Sequence, residues 1–179
     1  MFIHFYKKIQ RVPLVAFRNL NLYLSTITIG IILALVFASC GEKYFYEKTY
    51  ELADNQWSYS DTLHFDVDIL DTLKTYHLIL DIEHSVEYPY QNNYIYIHTH
   101  LPNGEHLGKQ VSIDLAEKSG KWNGDCNSET CELRTFIQPN AYFNQVGKHR
   151  FSVEQYMRTD SLPDIRSVSL RIQETGMTR

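Results

Sequence analysis

The chain of 179 residues is long enough for one ordinary domain and carries a formal charge of −4. Its charge is unevenly spread: the 21 acidic residues all follow Cys40, against 13 basic ones there, so residues 40–179 carry −8. A nucleic-acid role is disfavoured by that balance, since no basic patch large enough to displace counterions is present.

The first element is a leader. Lys7, Lys8, Arg11 and Arg18 are its only charged residues, and they hold the start of the chain on the cytoplasmic side. The apolar stretch of residues 20–38, a signal helix, is about long enough to span a bilayer. It ends in Leu35-Val36-Phe37-Ala38-Ser39-Cys40-Gly41. Small residues before a cysteine suit a lipoprotein peptidase, which makes residues 1–39 a cleaved signal peptide and Cys40 the lipidated residue. An uncleaved membrane anchor is the second reading and a buried core helix the third. Stable anchoring needs more than one acyl chain, and with so acidic a domain the membrane contact comes from lipid rather than charge.

Residues 40–52 read as a lipidated tether and possible first strand, because a free linker has no need of Tyr44, Phe45, Tyr46 and Tyr50. From residue 53 to 179 the pattern has period two. Leu63, Phe65, Val67 and Ile69 point one way and His64, Asp66 and Asp68 the other, as a half-buried strand requires. Tyr76, Leu78, Leu80 and Ile82 repeat it, and residues 94–101 alternate again. Shorter runs follow at Val111, Ile113 and Leu115, at Leu133, Thr135 and Ile137, at Phe151 and Val153, and at Val168, Leu170 and Ile172. Turn chemistry separates them, including Leu101-Pro102-Asn103-Gly104, Trp122-Asn123-Gly124-Asp125 and Gln138-Pro139-Asn140. Such spacing predicts an all-β domain, an antiparallel jelly-roll-like β-sandwich. A few helical turns are expected at residues 141–146 or 156–162.

Chemistry is thinly represented. Cys126 and Cys131 bracket a polar turn in an exported chain, so a short disulfide is the first reading, ahead of a metal site or a redox pair. His98 and His100 share a strand face, a spacing able to present two imidazoles to one ion, but no third ligand is compelled, and a solvent-facing polar row is the plainer reading. Asp66 and Asp68 do not by themselves make a hydrolase pair, and no nucleophile elbow, phosphate-binding loop or H-E-x-x-H motif occurs. Neither an enzyme nor a cofactor or metal is therefore expected.

A contact surface has better support. Tyr88, Tyr90, Tyr94 and Tyr96 fall within nine residues, with Gln91, Asn92 and Asn93 among them. Tyrosine offers large area and a hydroxyl at low entropic cost, which suits protein interfaces and sugar stacking alike. Packing of one end of the sandwich is the competing reading, as it is for Trp122 between Gly120 and Gly124. Arg158 and Arg171 are expected to pair with carboxylates on neighbouring strands; a strong requirement for Arg158 points instead to a buried or partner-facing role.

Five features in order carry a resemblance. They are the lipobox at Cys40, the run Phe65-Asp66-Val67-Asp68-Ile69-Leu70-Asp71-Thr72, Tyr88-Pro89-Tyr90-Gln91-Asn92-Asn93-Tyr94, Gly120-Lys121-Trp122-Asn123-Gly124 and Glu154-Gln155-Tyr156-Met157-Arg158. Together they make the chain resemble the gliding-motility-associated GldH lipoproteins of the Bacteroidota, over residues 40–172. The resemblance implies an envelope lipoprotein supporting gliding, a process tied in that phylum to type IX secretion, with partners among the gliding or secretion machinery. It implies no catalytic residue and no cofactor. The expected location is the outer membrane, its periplasmic leaflet ahead of the cell surface, and an exported glycan-binding module is the alternative.

Overall fold

A computed structural model describes residues 43–179; the signal segment and Cys40 lie outside the described residues. Eleven strands fill that span. They are β1 (Tyr46–Glu51), β2 (Gln56–Ser58), β3 (Leu63–Ile69), β4 (Lys74–Ser85), β5 (Asn92–His100) and β6 (His106–Asp114). After these come β7 (Asp125–Cys126), β8 (Thr130–Tyr142), β9 (Gly147–Gln155), β10 (Ser161–Pro163) and β11 (Ile165–Thr178). All pairings are antiparallel, in three sheets ordered β1-β11-β4-β8-β7, β3-β9-β5-β6 and the small β10-β2. The result is an all-β, sandwich-like arrangement.

The alternation in the sequence sets which residues enter the core. In β3 every second residue is buried, Leu63, Phe65, Val67 and Ile69, while His64, Asp66 and Asp68 are exposed. β4, flanked by β11 and β8, is buried over most of its length, including Tyr76, Leu80 and Ile82. Side chains from both large sheets and from β2 and β10 meet in one hydrophobic cluster, in which Trp57, Phe65, Leu80, Ile95, Leu162 and Leu170 are wholly buried. Tyr76 of β4 meets Phe143, which in turn meets Phe151 of β9, with ring centroids 5.4 and 6.3 Å apart, so aromatic edges bridge the layers.

Two expectations need correction. No helical turn forms at residues 141–146 or 156–162. Ala141 and Tyr142 instead pair with Tyr76 and Thr75 as the end of β8. The loop at 156–160 is held open by Gln155, which donates to the Thr159 carbonyl (2.9 Å) and accepts from the Met157 N–H (2.9 Å). The short helical turn among the described residues is 3-10, at Ala53–Asn55. The second correction is at Gln138-Pro139-Asn140, which does not end the strand. β8 runs through it with a shift of register against β4 between Tyr76 and Leu78, where a proline without an N–H is tolerated.

The antiparallel topology gives the domain two opposite ends. At one lie the loops at 70–73, 101–105 and 143–146 with the C-terminal residues; β1 begins on this side, Tyr46 standing opposite Ile172. At the other lie the loops at 59–62, 86–91, 115–124 and 156–160.

Candidate contact surface

The second end gathers most of the aromatic residues singled out in the sequence, and it divides them into two groups. Tyr88 is buried, its ring 5.5 Å from His84 and 5.6 Å from Tyr90, and Trp122 stands 4.6 Å from His84. Burial pushes the Tyr88 phenol far above its usual range and the His84 imidazole below its own, with the Ser85 carbonyl opposing the latter. This group closes the end of the sandwich, and only Tyr90 shows an open ring, 37% exposed.

The second group faces solvent. In β5 the inward residues are Asn93, Ile95 and Ile97, which turns Tyr94, Tyr96, His98 and His100 outward. Tyr94 borders an open groove of about 870 Å³ with Tyr59, Gln110, Tyr156, Met157 and Arg158. Tyr59, Tyr94 and Tyr156 are exposed, and Arg158 is exposed with no ion pair among the described residues. Tyr96 lies two residues further along β5, half-buried, its ring 5.4 Å from Tyr156 and 4.7 Å from His98. Gly108 of β6 makes room for it: a Cβ there would collide with the Tyr96 hydroxyl and ring.

Beyond Tyr96 the outer face becomes a histidine strip. His98 contacts Glu154 (Nε2 to Oε1, 3.0 Å) and stacks on His106 at 5.2 Å, and His106 stacks on His100 at 4.5 Å. The His100 pKa lies below the ordinary histidine value, first through desolvation and then through the neighbouring His106, His98, Arg150 and His64. Among the described residues no three His, Cys, Asp or Glu side chains are placed to hold a metal ion.

Cys126 and Cys131 face each other across the β7–β8 hairpin and are bonded, S–S 2.05 Å. Gly124, at φ +88°, lets the chain pass directly against the Glu132 backbone there. On the outer face of the other large sheet, Asp81 is only 3% exposed and pairs with Arg171 and with Arg134 Nε (3.1 Å). Arg171 also meets Glu47 at 2.7 Å, and the Tyr44 ring covers both guanidiniums at 5.4 and 5.9 Å. The expected Arg171 pairing is thus with a buried carboxylate and not merely a surface one.

Of the residues singled out, Tyr88, Tyr90, Tyr94, Trp122 and Arg158 share one end, with Tyr96 on the adjoining face. Tyr59 and Tyr156 complete the groove and were not among them. Tyr156 had a local signal, since it continues the outward alternation of Ser152 and Glu154; Tyr59, in a loop 35 residues before Tyr94, had none.

A protein of Christiangramia forsetii described as "Gliding motility lipoprotein GldH homolog" is 26% identical over 157 residues, covering 84% of this chain and 96% of its own length. "Gliding motility lipoprotein GldH" of Flavobacterium johnsoniae is 23% identical, covering 81% and 95% respectively. Among solved structures, dimeric latent PorU from Porphyromonas gingivalis aligns at a TM-score of 0.32 and 11% identity, the chain spanning 14% of its length. The sequence pattern of the family described as "GldH lipoprotein" matches residues 44–172, nearly the whole described domain, and the chain belongs to that family.

Proposed function

We propose that this protein is a cell-envelope lipoprotein, acylated at Cys40, that supports gliding motility through protein contacts and not through catalysis. The acyl chains confine the domain to a membrane face, the periplasmic leaflet of the outer membrane, and raise its effective concentration near machinery in the same membrane. Gliding or type IX secretion proteins are its partners in this reading. The gathering of exposed Tyr59, Tyr94, Tyr156 and Arg158, the last without an ion pair among the described residues, around one groove carries it. Aromatic rings and arginine are the residue types that anchor protein interfaces, and this groove lies at the end of the domain away from the start of β1. The strand orders β1-β11-β4-β8 and β3-β9-β5-β6 also support reading the sandwich as a jelly roll.

The test is cross-linking capture from host membranes with the native lipidated protein and with Tyr94→Ala and Tyr156→Ala variants. Envelope proteins recovered with the native protein and lost with the variants are the expected result. Unchanged folding together with unchanged recovery excludes the groove. The same aromatic lining suits a sugar, so saturable polysaccharide binding by the domain, without co-purifying protein, selects the glycan-binding alternative instead.

A further inference from the structure

The end opposite the tyrosine groove is apolar in a way the fold does not need. Leu70 is 77% exposed, Leu73 61%, Val146 60%, Tyr142 56% and Met177 54%. They come from three separate segments that the backbone ties together. Ile69 pairs with Gly147, which sets Leu70 beside Val146. Arg179 donates its N–H to the Leu73 carbonyl (2.9 Å), donates Nη1–H to Asn144 Oδ1 (2.9 Å) and lies 5.1 Å from the Tyr142 ring centroid. Lone exposed apolar residues need no explanation, but five on one end of a small domain mark an interaction surface.

What covers this surface is indicated by where the chain enters the domain. β1 begins at Tyr46 on this side, and Phe45 is already fastened, its N–H to the Ile172 carbonyl at 2.8 Å and its ring 5.5 Å from that of Tyr76. Cys40 precedes Phe45 by only five residues, a reach of at most about 18 Å even for a fully extended chain. A lipid on Cys40 therefore keeps the domain within about that reach of the bilayer, and β1 starts on the half of its sheet that leads to the apolar end, Ile172 standing opposite Leu78 and Thr178 opposite Lys74. The charged groups at this end include Asp71, Arg179 and the Lys74–Glu174 pair, in contact at 2.9 Å.

We infer that Leu70, Leu73, Tyr142, Val146 and Met177 rest in the interfacial layer of the membrane that holds the acylated Cys40, with the tyrosine groove turned away from it. This rests on the lipid anchor of the proposed function, and adds an orientation to it. The surface acts as an apolar membrane contact beside the acyl chains, its side chains seated at the headgroup–acyl boundary.

The experiment uses acylated protein purified from host membranes, its lipid verified by mass spectrometry, and reconstituted in vesicles of phosphatidylethanolamine and phosphatidylcholine. Single cysteines from Leu73→Cys and from Tyr90→Cys are labelled with an environment-sensitive fluorophore, and doxyl-labelled phospholipid is added as quencher. Quenching at position 73 at least about twofold greater than at position 90 is expected. It should persist when part of the lipid is replaced by phosphatidylglycerol. Adding Leu70→Asp and Val146→Asp should abolish the difference while the acyl chains keep the protein on the vesicles. Equal quenching at both positions, stronger quenching at 90, or shielding of position 73 by a second copy of the protein overturns the orientation alone. Absence of any acyl chain in the mass spectrum overturns the anchor and the orientation together.

Discussion

Replacing Arg171 with methionine is expected to destabilise the domain by about 3 kcal/mol. Asp81 is 3% exposed and Arg171 14%, so this pair is largely removed from water, and Arg134, 42% exposed, is the remaining cation beside the carboxylate. Removing one partner of a buried pair costs about 3 to 5 kcal/mol because the other charge is left desolvated. The persistence of Arg134 puts the value at the lower end. The released Glu47, 47% exposed, returns to solvent and adds at most a few tenths of a kcal/mol, as exposed pairs do. For a domain of this size, with a urea dependence of about 1.5 kcal/mol per molar, the unfolding midpoint should fall by about 2 M. The double variant Arg171→Met with Asp81→Leu should recover most of that loss, to within about 1 kcal/mol, since an apolar substitute for a buried pair is often neutral. Equilibrium unfolding followed by tryptophan fluorescence measures both. A midpoint shift under about 0.5 M for the single variant, or no recovery in the double, would refute the claim that Asp81 is a desolvated charge dependent on Arg171.

Reducing the Cys126–Cys131 bond, or replacing both with serine, should cost about 2 kcal/mol, because the closed loop is short; thermal unfolding with and without reductant reads it. Gly124→Ala should cost more than 1 kcal/mol in the same assay, since it combines a φ of +88° with a collision against the Glu132 backbone. His84 holds a pKa below the ordinary 6.5 through burial, so the unfolded chain takes up a proton that the folded one refuses. Its contribution to stability is whole above about pH 6.5, the ordinary histidine value, and declines as pH falls below it. Stability measured between pH 7.5 and 5 should therefore fall more steeply in the native protein than in a His84→Gln variant, and equal slopes would exclude His84 as a source.

Period-two alternation was enough to place β3, β5 and the inner residues of β4, because side-chain direction in a strand is a local property of the backbone. The same rule put His98 and His100 on one face. It failed at Gln138-Pro139-Asn140 and at residues 156–162. Turn-forming residues there sit in a bulge and in a loop whose course is held by a distant strand and by the Gln155 amide. It also failed to separate Tyr88 from Tyr94. Those two rings differ by whether another segment covers them, and His84 and Trp122, which cover Tyr88, lie 4 and 34 residues away along the chain.

The sequence by itself determined the strand periodicity, the acidic charge of residues 40–179 and the family, each written in neighbouring residues or in short motifs in order. Tertiary structure alone decided that β1 pairs with β11 and β4 with β8, since backbone hydrogen bonds are alike for every strand and only side-chain packing selects among partners. That selection brings Tyr59, Tyr94 and Tyr156 to one groove and Leu70, Val146 and Met177 to the other end. Two surfaces of opposite character on one small sandwich thus arise from residues up to 107 positions apart, a separation across which no local pattern can act.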